Sequence, residues 1–280
     1  MAKVTYTDEL EFEHDLVNLL ITRKGWTGLG GQSRVLSHPT EQDLLDNWAR
    51  ILFENNNMPN RLNGVPLTDG EKAQLMEQVR ACSSPVEANE FINGRSVTIK
   101  RDAEADKLNF GREVALTIYD RMSIAGGKSV YQIAEQPEFR ARKEILPNRR
   151  GDLILLINGM PVIHIELKRS GVSVTQAVNQ IRKYYHEGVF EGLLSLVQVF
   201  VAMNPTEALY FANPGSDESF NEKFMFHWGT VDNERVDRWD AVAEQLLSIP
   251  MAHKLVGFYT VADHSDNVLK VMRSYQYHAA

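Results

Sequence analysis

A chain of 280 residues with 43% hydrophobic, 24% charged and 9% aromatic content is an ordinary globular sequence, which excludes a disordered or fibrous protein and suits two domains or one α/β domain with a large insertion. The formal charge of -7 excludes nucleic-acid binding by overall charge, so any such role must rest on a local basic patch. The single cysteine, Cys82, excludes an intramolecular disulfide, and no apolar run approaches the roughly 18 residues of a membrane span, so the expected compartment is the cytoplasm, with no signal peptide and no anchor.

In chain order, Thr7 can cap a helix over about residues 8–23, whose stripe Phe12, Leu16, Leu19 and Leu20 marks one buried face. Glycines 25, 28, 30 and 31 make a loop. Three helical starts follow: Thr40 before Leu44, Trp48, Ile51 and Leu52; the capping box Thr68 to Glu71; and the box Ser84 to Glu87 with Pro85 at the first helical position. Residues 40–92 are expected to be a helical insertion within a variable stretch, 26–110. After Gly94 the period becomes two, at Val97 and Ile99, then Val114, Leu116 and Ile118, then Val130 and Ile133, so the sheet is expected to begin there. Residues 153–157 and 162–167 are apolar on both faces and are joined by Asn158-Gly159-Met160-Pro161, a hairpin between strands buried on both sides. A helix from Ser173 or Thr175 to about His186, a strand over 196–203, shorter strands over 209–212 and 223–227, and an amphipathic helix over 234–249 complete the reading. This order predicts an α/β fold with a mixed central sheet flanked by helices.

Between Arg140 and Lys183 nine basic residues stand against three acidic ones, a local charge of +6 that leaves -13 for the rest. Two of those three acids interrupt the buried strands. If the hairpin loop is three residues long, Asp152 lies opposite Glu166, and the period of two brings Lys168 to the same face. A two-residue Asn-Gly turn would instead pair Asp152 with Ile165 and send Glu166 to the other face, so a shared site requires the longer, bulged loop. Two facing carboxylates in an apolar setting repel unless protonated or bridged by a cation. A hard divalent cation such as Mg²⁺ uses both, and beside Lys168 it can serve phosphodiester hydrolysis. The alternative use of the trio is a buried ion pair.

Asp152, thirteen residues, then Glu166-Leu167-Lys168 resembles the core of the PD-(D/E)XK nuclease superfamily. The wider set of Gly151-Asp152, the Asn-Gly-Met-Pro hairpin, Ile165 to Arg169, Gly171 and Asn179 to Tyr184 resembles the R subunit of type I restriction enzymes, whose Gln-x-x-x-Tyr motif falls on Gln180 and Tyr184. Phe12 to Leu16, Tyr210 to Asn213 and Val271 to Gln276 extend the likeness over most of the chain outside 26–110. Gly151 replaces the superfamily's proline, and Ser274 replaces a family proline ahead of Gln276, a residue linked with adenine reading. The resemblance implies a restriction-endonuclease-like core over residues 1–260, with 261–280 starting a linker into an ATP-dependent motor absent from this chain. It also implies that Asp152, Glu166 and the Leu167 carbonyl hold Mg²⁺, that Lys168 orients water or offsets leaving charge, and that Gln180 and Tyr184 support the site or its DNA. Implied partners are double-stranded DNA and the modification and specificity subunits, with ATP used only by the motor and no membrane.

Several residues carry two readings. Glu13 suits a carboxylate near the metal or a helix-capping or exposed glutamate. His164 shares the site face but reads as satisfied core. Gln180 and Tyr184 alone would be a surface helix pair. Arg149, Arg150, Arg169, Arg182 and Lys183, flanking a metal site, are expected to contact phosphate. Ala125 to Ser129 imitates a P-loop but fails it, because Met122 stands where glycine is required. The alternatives to the type I reading are a stand-alone nuclease of the same fold in repair or defence, and a non-cleaving DNA clamp or motor-coupling module.

Overall fold

The sequence punctuates its first helix firmly: Asp8 accepts a hydrogen bond from the Leu10 amide at one end, and Gly25, at φ 79°, closes the other. Asp8 therefore takes the cap expected of Thr7. The structure, a computed structural model, describes residues 3–29, 38–124, 129–139, 149–216 and 218–279, without the side chains of 139, 149 and 150. Glycines 30 and 31, residues 125–128 of the glycine-lysine loop, and the basic residues Arg140, Arg142 and Lys143 lie outside the described residues.

Helix α1 (Glu9–Lys24) is followed by a two-residue strand β1 (Thr27–Gly28), helices α2 (Glu41–Asn55), α3 (Asp69–Ala81) and α4 (Pro85–Asn93), and strands β2 (Ser96–Lys100) and β3 (Glu113–Thr117). Then come β4 (Tyr131–Glu135), the short β5 (Glu138–Phe139) and β6 (Arg149–Arg150), β7 (Leu153–Ile157), β8 (Met160–Leu167), α5 (Val174–His186), β9 (Val199–Asn204) and β10 (Glu207–Ala212). Short strands β11 (Trp228–Gly229) and β12 (Arg235–Val236), helices α6 (Trp239–Gln245) and α7 (Ile249–Lys254), the hairpin β13 (Thr260–Asp263) and β14 (Val268–Val271), and α8 (Ser274–Ala279) end the described chain. The central sheet has six strands in the order β1-β4-β7-β8-β9-β10, parallel at β1/β4 and β8/β9 and antiparallel elsewhere. It is the mixed α/β sheet expected from the element order. Every residue of β7, β8 and β9 is buried, as their continuous apolar runs require.

The β7–β8 connection departs from the three-residue loop. Asn158 and Gly159, at φ 52° and 83°, form a two-residue turn of the kind that suits tight hairpins, and Ile157 pairs with Met160. The register then shifts once between Leu155 and Leu156: Leu156 pairs with Pro161, but Leu155 pairs with Ile163, Ile154 with His164 and Leu153 with Ile165. Val162 is the extra residue, and its carbonyl accepts the Gln198 amide at 2.9 Å. The longer register is thus restored within the strand instead of in the loop.

Other expectations shift for physical reasons. β2 and β3 alternate buried and exposed residues and pair only with each other, because a ribbon with one wet face does not belong inside a doubly buried sheet. The strand expected over 223–227 is a 3-10 turn, Glu222–Phe224, capped by Asn221, followed by a single bridge from Phe226 to Tyr210. The helix expected over 234–249 is instead β12, α6 and the start of α7, since Pro250 begins a new helix. In the Ser84 box, Glu87 accepts from the Ser83 amide instead of the Ser84 amide. Residues 260–279 fold against β10, where the Tyr210 hydroxyl donates to the Met272 carbonyl at 2.9 Å. No helix of the described residues is long and apolar enough to cross a membrane.

Two glycines in the same backbone region separate turn geometry from close packing. A Cβ on Gly159 would lie 2.7 Å from the Trp48 Cα of α2, whereas one on Gly111, at φ 75°, would meet nothing within 4 Å. Urea denaturation is expected to find Gly159→Ala destabilised by about 2–4 kcal/mol, backbone strain plus overpacking, and Gly111→Ala by about 1 kcal/mol from strain alone. Equal losses would show that the turn relaxes away from α2.

Candidate active site

The restored register aims alternate residues of β8 at one face, so His164 and Glu166 share it and Lys168 follows just beyond the strand end. Asp152 bends in beside them: its Oδ2 accepts the Leu167 amide at 2.5 Å, and its carbonyl accepts the Gln136 amide at 2.7 Å. The start of α1 is tied to the same end of the sheet at two points. The Tyr6 amide donates to Ser170 Oγ at 2.9 Å and the Ser170 amide returns to the Tyr6 carbonyl at 3.0 Å. That tie brings Glu9 and Glu13, one helical turn apart, to the site.

Lys168 is buried, and its Nζ donates to the Leu167 carbonyl at 2.8 Å and to Glu166 Oε1 at 3.3 Å, with Glu9 Oε2 at 3.7 Å. Glu166 has no solvent exposure. Burial pushes the Glu166 carboxyl up to about 8 against the pull of Lys168; burial and then repulsion from Glu166 push Asp152 up to about 8. Glu13, also buried, rises to about 8 through burial and then the Asp152 charge, and Gln136 Nε2 donates to its Oε2 at 3.3 Å. Three carboxyl groups thus crowd a poorly solvated end of the sheet, and protons or a cation must balance them. His164 stays neutral, because burial lowers its imidazole to about 4.

Helix α5, capped by Ser173, packs against β8 and β9. Gln180 Nε2 donates to the Tyr184 hydroxyl at 2.6 Å, the i, i+4 contact expected from spacing, and the Tyr184 ring stands edge-on to His164 at 6.2 Å. Tyr184 is buried rather than displayed. Arg169, next to Lys168, is exposed, as are Arg182 and Lys183 on α5, where Arg182 lines a hollow with Val178, Asn179 and Leu209 on the β10 side of the helix. Arg149 and Arg150 pair through their backbones with Phe139 and Glu138, while their side chains lie outside the described residues.

The donor set suits Mg²⁺. Glu166 Oε2 is buried, lies 3.4 Å from His164 Nε2 and makes no hydrogen bond, while Oε1 shares the Lys168 ammonium with the Leu167 carbonyl and Asp152 lies beside the carboxylate. Among the described residues no three His, Cys or acidic side chains form a metal-holding group. Glu13 therefore stands beside the pair without completing a three-carboxylate cage, and two carboxylates plus a main-chain oxygen leave positions for water, as Mg²⁺ prefers. Sequence reasoning missed Glu9 and Gln136. Glu9 reads only as an acid in a helix's first turn, and Gln136, at φ 45°, carries no local motif.

The family described as type I restriction enzyme R protein N terminus matches residues 6–219, which include Glu13, Asp152, Glu166, Lys168, Gln180 and Tyr184. The SauCOLORF180P type I restriction enzyme endonuclease subunit of Staphylococcus aureus (strain COL) is 29% identical over 276 residues, covering 99% of this chain and 27% of that protein. The SsaAORF53P endonuclease subunit of Staphylococcus saprophyticus is 32% identical over 243 residues, 85% of this chain and 24% of its own length. The EcoprrI endonuclease subunit of Escherichia coli is 36% identical over 130 residues, 45% of this chain and 41% of its own. The chain spans about a quarter of the length of the staphylococcal relatives. On a family match across most of its length, this chain belongs to the type I restriction enzyme R protein family, in its N-terminal part.

Proposed function

We propose that this chain is the Mg²⁺-dependent endonuclease domain of a type I restriction R subunit, hydrolysing phosphodiester bonds of double-stranded DNA. It would act within a complex that also holds the modification and specificity subunits, where ATP-driven translocation belongs to parts of the protein outside this chain. The observation that carries the reading is the convergence of Asp152, Glu166 and Lys168 at one end of the bulged hairpin, with Glu166 Oε2 left unpaired.

Asp152, Glu166 and the Leu167 carbonyl would hold Mg²⁺. When bound, the cation supplies positive charge for the scissile phosphate and lowers the pKa of its water. The chain's own groups do the rest. Lys168, held between Glu166 and the Leu167 carbonyl, has donors to hold a water on its path to phosphorus or to offset charge on the leaving oxygen. Glu9 near Lys168 Nζ keeps the ammonium at the mouth of the site. Glu13, raised by burial, can carry a proton next to Asp152. The Gln180–Tyr184 pair braces α5 over the site, and Arg169, Arg182 and Lys183 meet the phosphates on either side.

Calorimetry is expected to record Mg²⁺ binding to the wild type, none to Asp152→Ala, and binding retained by Lys168→Ala, a variant expected to abolish cleavage once assembled with the full-length subunit and its partners. Equal heats from all three would make the trio a buried ion pair and favour the non-cleaving coupling module. Cutting by the chain alone, without ATP or other subunits, would favour a stand-alone nuclease. For the DNA surface, Arg182→Ala and Lys183→Ala are each expected to flatten the slope of log K against log salt by about 0.9 in anisotropy titrations with a short duplex. An unchanged slope would remove α5 from the interface.

A further inference from the structure

Among the described residues seven buried side-chain nitrogen or oxygen atoms make no hydrogen bond, and three of them meet in one place: both ring nitrogens of His164 and Oε2 of Glu166. The His164 Nε2 lies 3.4 Å from that oxygen, and both side chains are wholly buried. The rings of Tyr184, Phe190 and Phe200 stand roughly perpendicular to the imidazole, at 6.2, 5.3 and 5.9 Å between centroids. Nδ1 has no oxygen or nitrogen acceptor in reach, so a proton placed there would lack a conventional hydrogen bond. The other ring nitrogen, Nε2, has the Glu166 carboxylate as a near acceptor, 3.4 Å away, close enough for a small rotation of either side chain to make the bond. The backbone fixes the distance, because His164 and Glu166 are alternate residues of one doubly buried strand whose pairing with β9 runs unbroken from Ile163 to Leu167.

We propose that His164 is a positioning residue for Glu166: as the Nε2–H tautomer it donates to Oε2 and fixes the plane of the carboxylate, while Lys168 holds Oε1. The inference rests on the cation-binding reading of Glu166 given above and adds a residue that composition and spacing assign to the core. Its chemical basis is general, since a carboxylate that ligates a cation is held in turn by a hydrogen-bond donor behind it, and loss of that donor costs about 10- to 100-fold in affinity. The apolar surroundings of Nδ1 favour the tautomer with its proton on Nε2, the nitrogen nearest Oε2.

Two variants separate the hydrogen bond from the volume of the ring. His164→Phe keeps the aromatic shape and removes the donor; His164→Gln keeps an N–H that can reach the position of Nε2. Calorimetric titration with Mg²⁺ is expected to show about 10- to 100-fold weaker binding by His164→Phe and recovery to within about threefold by His164→Gln, with near-ultraviolet circular dichroism reporting the packing of each. Nitrogen-15 spectra of the histidine-labelled wild type with saturating Mg²⁺ are expected to show a neutral Nε2–H imidazole. Wild-type affinity in His164→Phe, equal losses in both variants, or an Nδ1–H tautomer would each overturn the positioning role while leaving the metal site standing. A wild type that binds no Mg²⁺ would overturn the metal reading and this inference together.

Discussion

One extra residue in one strand decides where every side chain of the site points. A two-residue Asn-Gly turn on its own pairs β7 and β8 so that Asp152 and Glu166 fall on opposite faces, since side chains alternate with a period of two. Val162 adds one residue to β8 and turns the remainder of the strand over. From that point toward the site, Leu155, Ile154 and Leu153 meet Ile163, His164 and Ile165, and the next step brings Asp152 to Glu166. The strained part of the hairpin is therefore at its far end, and the bulge transmits its geometry along a fully buried ladder that has no room to slip.

That geometry carries an electrostatic cost. Burial and mutual repulsion raise three carboxyl groups to about 8, with the Lys168 ammonium among them. A fold gains nothing in stability from gathering like charges out of water, because each buried ion costs several kcal/mol before partners repay it. A structural ion pair would satisfy its oxygens internally, as Glu71 does in the buried cluster with Arg101, where the carboxylate also accepts the Thr68 and Asp102 amides. Glu166 Oε2 has no main-chain or cationic donor, and even with His164 on one of its two acceptor sites the other stays free. The contrast between these two buried glutamates in one chain is the physical argument that the second serves a ligand.

How much of this was legible beforehand follows from the range of the forces involved. Strands β7 and β8 were readable because their apolar runs are broken only by a turn and by polar residues, and α5 because Ser173 caps a strongly amphipathic segment. The site trio was readable because charged residues inside a doubly buried strand need a reason. The bulge was not, since Val162 is one apolar residue among several and the register is settled by pairing with β9. Glu9 lies far from the motif in sequence and Gln136 sixteen residues before Asp152, and they are brought in by the Tyr6–Ser170 tie and by the β4–β7 pairing, neither of which leaves a local mark. The break at Pro250 was visible in the sequence and was outweighed by the apolar period around it.

The stretch 26–110 gains a role from the same hairpin. Its helices share one continuous apolar core with the sheet, through Leu44, Trp48, Leu75, Val79 and Ile92. Buried amides join them to the sheet, Asn47 to Gln132 and Asn89 to Gln198, each at 2.9 Å. The closest approach is at the turn, where Gly159 leaves room for no more than a hydrogen beside the Trp48 backbone, and Asn158 is bonded to Val130 and Ile118. The turn lies about 20 Å from Asp152 and Glu166 along the strands at the usual rise per residue. The helical segment thus clamps the hairpin at one end, while α1 and α5 dress the other. Holding the turn rigid from outside lets the bulge set the register, and it keeps the helical segment at the end of the strands opposite the charged groups.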